Sequence, residues 1–163
     1  MWALLSLIVS TVYIFLKKMI TSDREQKVLQ ALKTFGLSDN LAAFATAQAA
    51  HETNDFTSVL FKDDNNAFGM TFVGQAGATR SNNSFVGTDG NIYFYAHYET
   101  IEMSCYDFTR WYTKARNNIL SFPLYISTLV DYVSFLKNRN YFEADEQEYY
   151  KRTAYFYNKY FSI

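Results

Sequence analysis

Little in this chain offers ready chemistry. Of its 163 residues only Cys105 is a cysteine, so no disulfide can close within the chain and no thiolate cluster can hold a metal. The two histidines, His51 and His97, stand in no spacing that binds zinc. Basic residues are in no excess: 15 Lys and Arg against 16 Asp and Glu leave a net charge of −1. A nucleic-acid partner would need a basic footprint, so none is expected. No linker, internal repeat or low-complexity tract divides the chain, whose length suits one ordinary domain. No metal or other cofactor is expected either.

What is abundant is apolar and aromatic. Hydrophobic residues make up 49% of the chain and aromatics 19%, with 14 Tyr and 15 Phe. Such a supply builds a packed core first, and sugar-stacking surfaces second. The residues from Met1 to Leu16 carry no charge, and Lys17 and Lys18 follow. Sixteen helical residues span about 24 Å, short of the ~30 Å hydrocarbon core of a bilayer. Continuing to Ile20, with both lysines reaching back to the headgroups, nearly closes the gap. Residues 1–20 are therefore read as a transmembrane anchor contacting lipid, and 21–163 as the folded domain. A cleaved secretion signal fits less well, because no basic residue precedes the run and no small-x-small site follows it. A buried core or assembly helix is the other alternative. Lys17, Lys18 and Arg24 all lie after the span, which orients the domain toward a cytoplasm. The internal membrane of a lipid-containing bacteriophage, with other virion proteins as neighbours, is one setting that reconciles this with a cell-wall substrate.

Ser22 followed by Glu25 forms a capping-box pattern that starts a helix, with Val28, Leu32 and Phe35 at helical spacing and Gly36 as its stop. Ser38 caps a second helix over about 39–53. Six of its ten residues from 41 to 50 are alanine, which suits a central helix that neighbours approach closely. Periodicity fades over 54–66. Segment 71–91 reads as irregular loops with a small hairpin, and Ile92-Tyr93-Phe94-Tyr95 is the clearest strand, preceded by the turn residues Thr88-Asp89-Gly90-Asn91. Helices are expected near 99–116, 124–138 (started by Pro123) and 145–160. The fold class is α+β, mostly α, with a small β lobe.

One stretch carries a chemical suggestion. Glu52 closes the alanine-rich helix, and a carboxyl at the apolar edge of a cleft stays protonated near neutral pH and can act as a general acid. By itself a glutamate at a helix end is ordinarily a solvated side chain. The segment Ala47-Gln48-Ala49-Ala50-His51-Glu52-Thr53 resembles the Ala-Gln-Ala-x-x-Glu-Ser helix end of glucosaminidase domains of the glycoside hydrolase family 73 type. Asn65-Asn66-Ala67-Phe68-Gly69-Met70 resembles their Asn-Asn-Leu-Phe-Gly-Ile turn. Phe94-Tyr95-Ala96-His97-Tyr98-Glu99-Thr100 is similar to their Phe-Arg-x-Tyr-x-Ser segment. Asn140-Tyr141-Phe142 with Asp145 and Tyr149 is similar to their closing Gly-Tyr-x-x-Asp-x-x-Tyr element. Order and spacing hold over about 38–160.

The resemblance implies a lysozyme-like domain that cleaves the glycan strands of peptidoglycan. It implies that Glu52 protonates the departing glycosidic oxygen and that Tyr141 helps place the N-acetyl sugar. It also implies that Asn66 and Phe68, with Gly69, shape the cleft floor. Gln48, one turn before Glu52, faces either substrate or core. His51 points about 100° away from Glu52 and reads as structural. Two departures stand out. Asn54-Asp55-Phe56 replaces a Gly-Trp-Gly, where Asn can supply the left-handed backbone and Phe56 the aromatic. In the β lobe, Thr79-Arg80-Ser81 lacks the acid of the family's Thr-x-Glu. Asp63, Asp64 and Asp89 are the substitutes, with Asp89 favoured as a possible second acid and a purely turn-forming role as its alternative. Without a second acid, hydrolysis assisted by the substrate's N-acetyl group and lytic transglycosylation both remain open. A non-catalytic wall-binding or structural subunit, presenting its crowded C-terminal aromatics to partners, is the competing function.

Overall fold

The computed structural model describes residues 23–114 and 126–162. The anchor expected at 1–20, the capping role of Ser22 and the helix start at Pro123 lie outside these residues. Among the described residues no helix is long and apolar enough to cross a membrane.

Helix α1 covers 23–34 and buries Val28, Ala31 and Leu32. It stops at Gly36, whose φ of +96° is open to glycine at little cost. Ser38 then caps α2, Asp39–Glu52, by accepting a hydrogen bond from the Leu41 amide. Helix α2 is buried on all sides, from Leu41 and Ala42 through Ala49 and Ala50, as a central helix must be. Its alanines let α6, Glu146–Phe161, pack along it, while α5, Leu129–Asn138, lies against both. The helix α4, Ile101–Thr113, contributes Phe108 and Tyr112, which join Phe68, Tyr132 and Phe44 in a continuous aromatic core. Most of the aromatic surplus is therefore packing.

Three expectations need correction. The stretch where periodicity fades contains a short helix, α3, Val59–Asp64, capped by Ser58 and closed by Asn65 in the left-handed region. Six residues are too few to show a helical repeat. The strand at 92–95 extends to β2, Ile92–Tyr98, and pairs antiparallel with β1, Ala78–Val86. Strand β1 is largely polar and exposed, so no alternating apolar pattern marks it, and its register slips between Arg80 and Ser84. Finally, α5 begins at Leu129 rather than near 124, because Thr128 adopts extended backbone and accepts from the Asp131 amide. The expected class, mostly helical with a small β lobe, holds.

Residues 70–72 add a short third edge to the lobe. The Ala96 amide donates to the Met70 carbonyl, the Phe72 amide to the Phe94 carbonyl, and Thr71 pairs with Tyr95. This edge ties the turn after α3 to β2 and forms one wall of the site.

Candidate functional site

Glu52 is the last residue of α2, and the chain reverses immediately behind it. Asn54, Asp55 and Phe56 all take positive φ (48°, 62° and 59°), a costly run for residues with side chains. The expected left-handed Asn54 is thus present, together with two more. Neighbours hold the run in place. Thr53 Oγ1 accepts from the Phe56 amide at 3.0 Å, and Arg24 Nη1 donates to the Phe56 carbonyl at 2.8 Å. Lys159 Nζ lies 2.6 Å from Asp55 Oδ2, and the Tyr160 hydroxyl donates to the other oxygen. Phe56 itself is fully buried against Phe61, so it fills core and does not replace a cleft aromatic.

The reversal leaves Glu52 at the floor of a cleft of about 660 Å³. One wall is Phe68 to Val73; the other is the loop Arg139 to Ala144 with the facing side of α6. Burial pushes the Glu52 carboxyl up to about 6, while a hydrogen bond from Tyr149 pulls the other way. The Tyr149 hydroxyl donates to Oε1 at 2.5 Å. Tyr149 is itself fixed by Phe142, stacked at 3.7 Å and 2°, and by the edge of His51 at 4.6 Å. With Oε1 occupied, the acidic proton belongs on Oε2. That oxygen faces Gly69, lying 3.8 Å from where a Cβ would stand.

Other residues turn out to be braces. The Tyr141 hydroxyl donates to the Phe68 carbonyl, so it secures the turn beside Glu52 and presents only its ring, set edgewise on Trp111 at 4.9 Å, to the cleft. Phe68 is 2% exposed and stacks on Phe108 at 4.0 Å; its ring is core, although its edge and carbonyl border the cleft. Asn66 is fully buried. Its Nδ2 donates to the Met70 and Ala96 carbonyls, and its Oδ1 accepts from the Met70 amide. It clamps the turn onto β2 and is sealed from the cleft. Gln48 is equally buried, accepting from the Tyr132 hydroxyl. Its Nε2 has no well-formed hydrogen bond, though it lies near enough to Tyr141 to act on that hydroxyl. Of its two expected roles, Gln48 takes the core one.

Asp89 is fully exposed in the hairpin turn and does not border the cleft. Bonds from Tyr93 (2.6 Å) and from the Asn91 amide and side chain hold its carboxyl below the usual range. The turn-forming alternative therefore describes it. Asp63 is exposed; Asp64 is buried and bonded to Ser81, Asn83 and His97. His51 borders the cleft, but burial, and secondarily the Arg152 charge, lower its pKa to about 4, so it stays neutral above that. Tyr149 and Phe142 were visible in the sequence only as part of a motif, and Trp111 and Arg139 had no signal. Arg139 donates to the Trp111 and Tyr112 carbonyls and lies 4.8 Å over the Trp111 ring, stiffening that wall.

The fold is shared with a solved structure, the catalytic domain of the autolysin Auto from Listeria monocytogenes. The likeness covers 88% of this chain and 83% of that one, with a TM-score of 0.62 and 18% sequence identity. No family model and no curated protein sequence matches the chain.

Proposed function

We propose that this chain cleaves the glycan strands of peptidoglycan, with Glu52 as the general acid. The observation that carries this reading is a single carboxyl held protonated up to about pH 6 at the floor of a cleft. One of its oxygens is anchored by Tyr149, and the other faces the Gly69 turn that lines the cleft. That is what protonating a leaving glycosidic oxygen requires. Autolysins cut cell wall, and the shared fold supports the same substrate class here. Trp111, Tyr141 and Phe142 supply apolar ring surface along the cleft for sugar faces.

The endo-N-acetylglucosaminidase reaction is the form we favour, with lytic transglycosylation by the same glutamate as the alternative product chemistry. Residues 1–20 would anchor the enzyme in a membrane, and a phage virion's internal membrane is the setting that suits their charge. A non-catalytic wall-binding role draws on one fact: Gln48, Asn66 and Asp89 all serve structure.

The test is digestion of purified peptidoglycan by the full chain in detergent beside Glu52→Gln, with mass spectrometry of the fragments. Fragments from the wild type alone, ending in free reducing sugars, are expected. Ends carrying 1,6-anhydro sugars would instead assign transglycosylation. A folded wild type that releases nothing across several pH values and wall types would leave the binding role.

A further inference from the structure

A glycosidic cut needs a second group to take the proton of the attacking oxygen, and the described carboxylates serve poorly. Asp89 is held in its turn, Glu148 is paired with Arg152 at 3.1 Å, and Glu143, though it lines the cleft, is exposed and bonded to Thr88 at 3.3 Å. The β lobe offers something else. His97 Nδ1 lies 3.1 Å from Asp64 Oδ1, and the other Asp64 oxygen accepts from Ser81 Oγ at 2.8 Å and Asn83 Nδ2 at 2.7 Å. A carboxylate can only accept, so the bond to it fixes the hydrogen on Nδ1 of the neutral ring. Nε2 is then the nitrogen left to accept, on a side chain that is 40% exposed. Asp64, 6% exposed, orients the ring and does not itself meet solvent.

The register brings the His97 backbone across from the turn that faces Glu52. Met70 bonds to Ala96 and Thr71 pairs with Tyr95, so one step further Gly69 stands across from His97. Directly opposed residues are about 5 Å apart at Cα. Gly69 is also the residue that faces Glu52 Oε2, and among the described residues no other atom comes within 4 Å of its missing Cβ. Tyr95 and His97 share one face of β2, the face on which Thr71 borders the cleft. The Glu52 charge also reaches Tyr95, adding to the effect of burial on that phenol.

We propose that His97, oriented by Asp64, is the second proton-transfer residue of this site, its Nε2 accepting the proton of the oxygen that attacks the anomeric carbon. The proposal rests on the glycan-cleaving reading above. Glu52 gives its proton to the glycosidic oxygen as the C1–O bond breaks. The attacking hydroxyl, from water or from C6 of the same sugar, forms the new C1–O bond and passes its proton to Nε2. Solvent then removes the imidazolium proton and returns one to Glu52.

The test measures kcat and KM of the full chain in detergent on soluble, uncrosslinked peptidoglycan strands, for wild type, Glu52→Gln, His97→Ala, His97→Gln and Glu143→Gln. Both His97 variants should lose about 10²-fold or more in kcat with KM changed less than about threefold, as general-base removal does. Added imidazole should restore part of the His97→Ala rate, which repair of a merely structural role would not do. His97→Gln within about threefold of wild type, loss confined to KM, or a folded His97→Ala that imidazole leaves inactive would each overturn the assignment. So would a Glu143→Gln variant that alone loses turnover. A wild type without activity would instead remove the underlying reading.

Discussion

Glu52 and Asp89 carry the same functional group, and the two places they occupy make opposite acids of it. At the end of α2, Glu52 has one donor, Tyr149, and sits largely desolvated on the cleft floor, so burial wins and its proton is held to about pH 6. At the hairpin turn, Asp89 has donors from Tyr93 and Asn91 and full solvent access, so its charge is stabilised and its proton leaves early. Hydrogen bonding alone would favour the anion at both places. Exposure decides which carboxyl can be an acid near neutral pH and which can only shape a turn.

The largest break in this comparison comes from Glu52→Gln, which keeps the size and the Tyr149 bond but removes the acidic proton. Cleavage of purified peptidoglycan should fall by about 10³-fold or more, measured as released reducing ends. Tyr149→Phe comes next. It removes the one group that favours the Glu52 anion, so the carboxyl should rise further above 6. Activity requires the protonated form, so the alkaline limb of the pH–rate profile should move up by about one unit, a shift worth ~1.4 kcal/mol. The maximal rate should fall about tenfold as the carboxyl loses its anchor. A limb that stays fixed would mean that a group other than Glu52 controls it.

How much of this was legible beforehand depends on the kind of interaction. Helices α2, α4 and α6 follow from caps and apolar spacing, which are local, and Glu52 at the end of an alanine-rich helix was equally local. The Tyr149 bond joins residues 97 positions apart, and no local pattern encodes it. Gln48 and Asn66 lie on the helix and turn that carry the site, but their side chains point into the protein. Whether a buried amide is sealed by backbone carbonyls or turned toward a ligand depends on packing from β2 and α5, which spacing along the chain does not report. Strand β1, the first arm of the expected hairpin, had no bounds in the sequence for a related reason: it is held mainly by its ladder to β2, so its sequence carries little apolar signature.

Glu25 sharpens the comparison from the opposite side of the same reversal. Its carboxyl is raised to about 7, chiefly by burial, with Gln26 and Lys159 lowering it and Asp55 raising it. For a raised acid the folded state binds more protons than the unfolded one. The resulting stability is therefore full below about pH 4.5 and is lost as pH rises through about 7. His51, lowered to about 4, works the other way between 4 and 6.5, so the useful quantity is the difference between wild type and Glu25→Gln. Between pH 5 and 7.5 the variant should show roughly 5 °C less decline in Tm, followed by circular dichroism. A decline equal to the wild type's would mean that Glu25 ionises freely in the folded protein.

The smallest effect is expected from Asp89→Asn, and its smallness is what makes it informative. The substitution removes the charge and the acceptor used by Tyr93, while Oδ1 can still accept from the Asn91 amide. The hairpin should loosen, visible as faster hydrogen exchange over 87–93, yet cleavage should stay within about threefold of wild type. Exposure and three donors leave this carboxyl neither a proton to give nor a place in the cleft. If the variant instead lost activity about 100-fold with its fold intact, the hairpin would have to bend its turn onto the substrate. Asp89 rather than His97 would then be the group that takes the second proton, and a difference in burial would no longer separate the two acids.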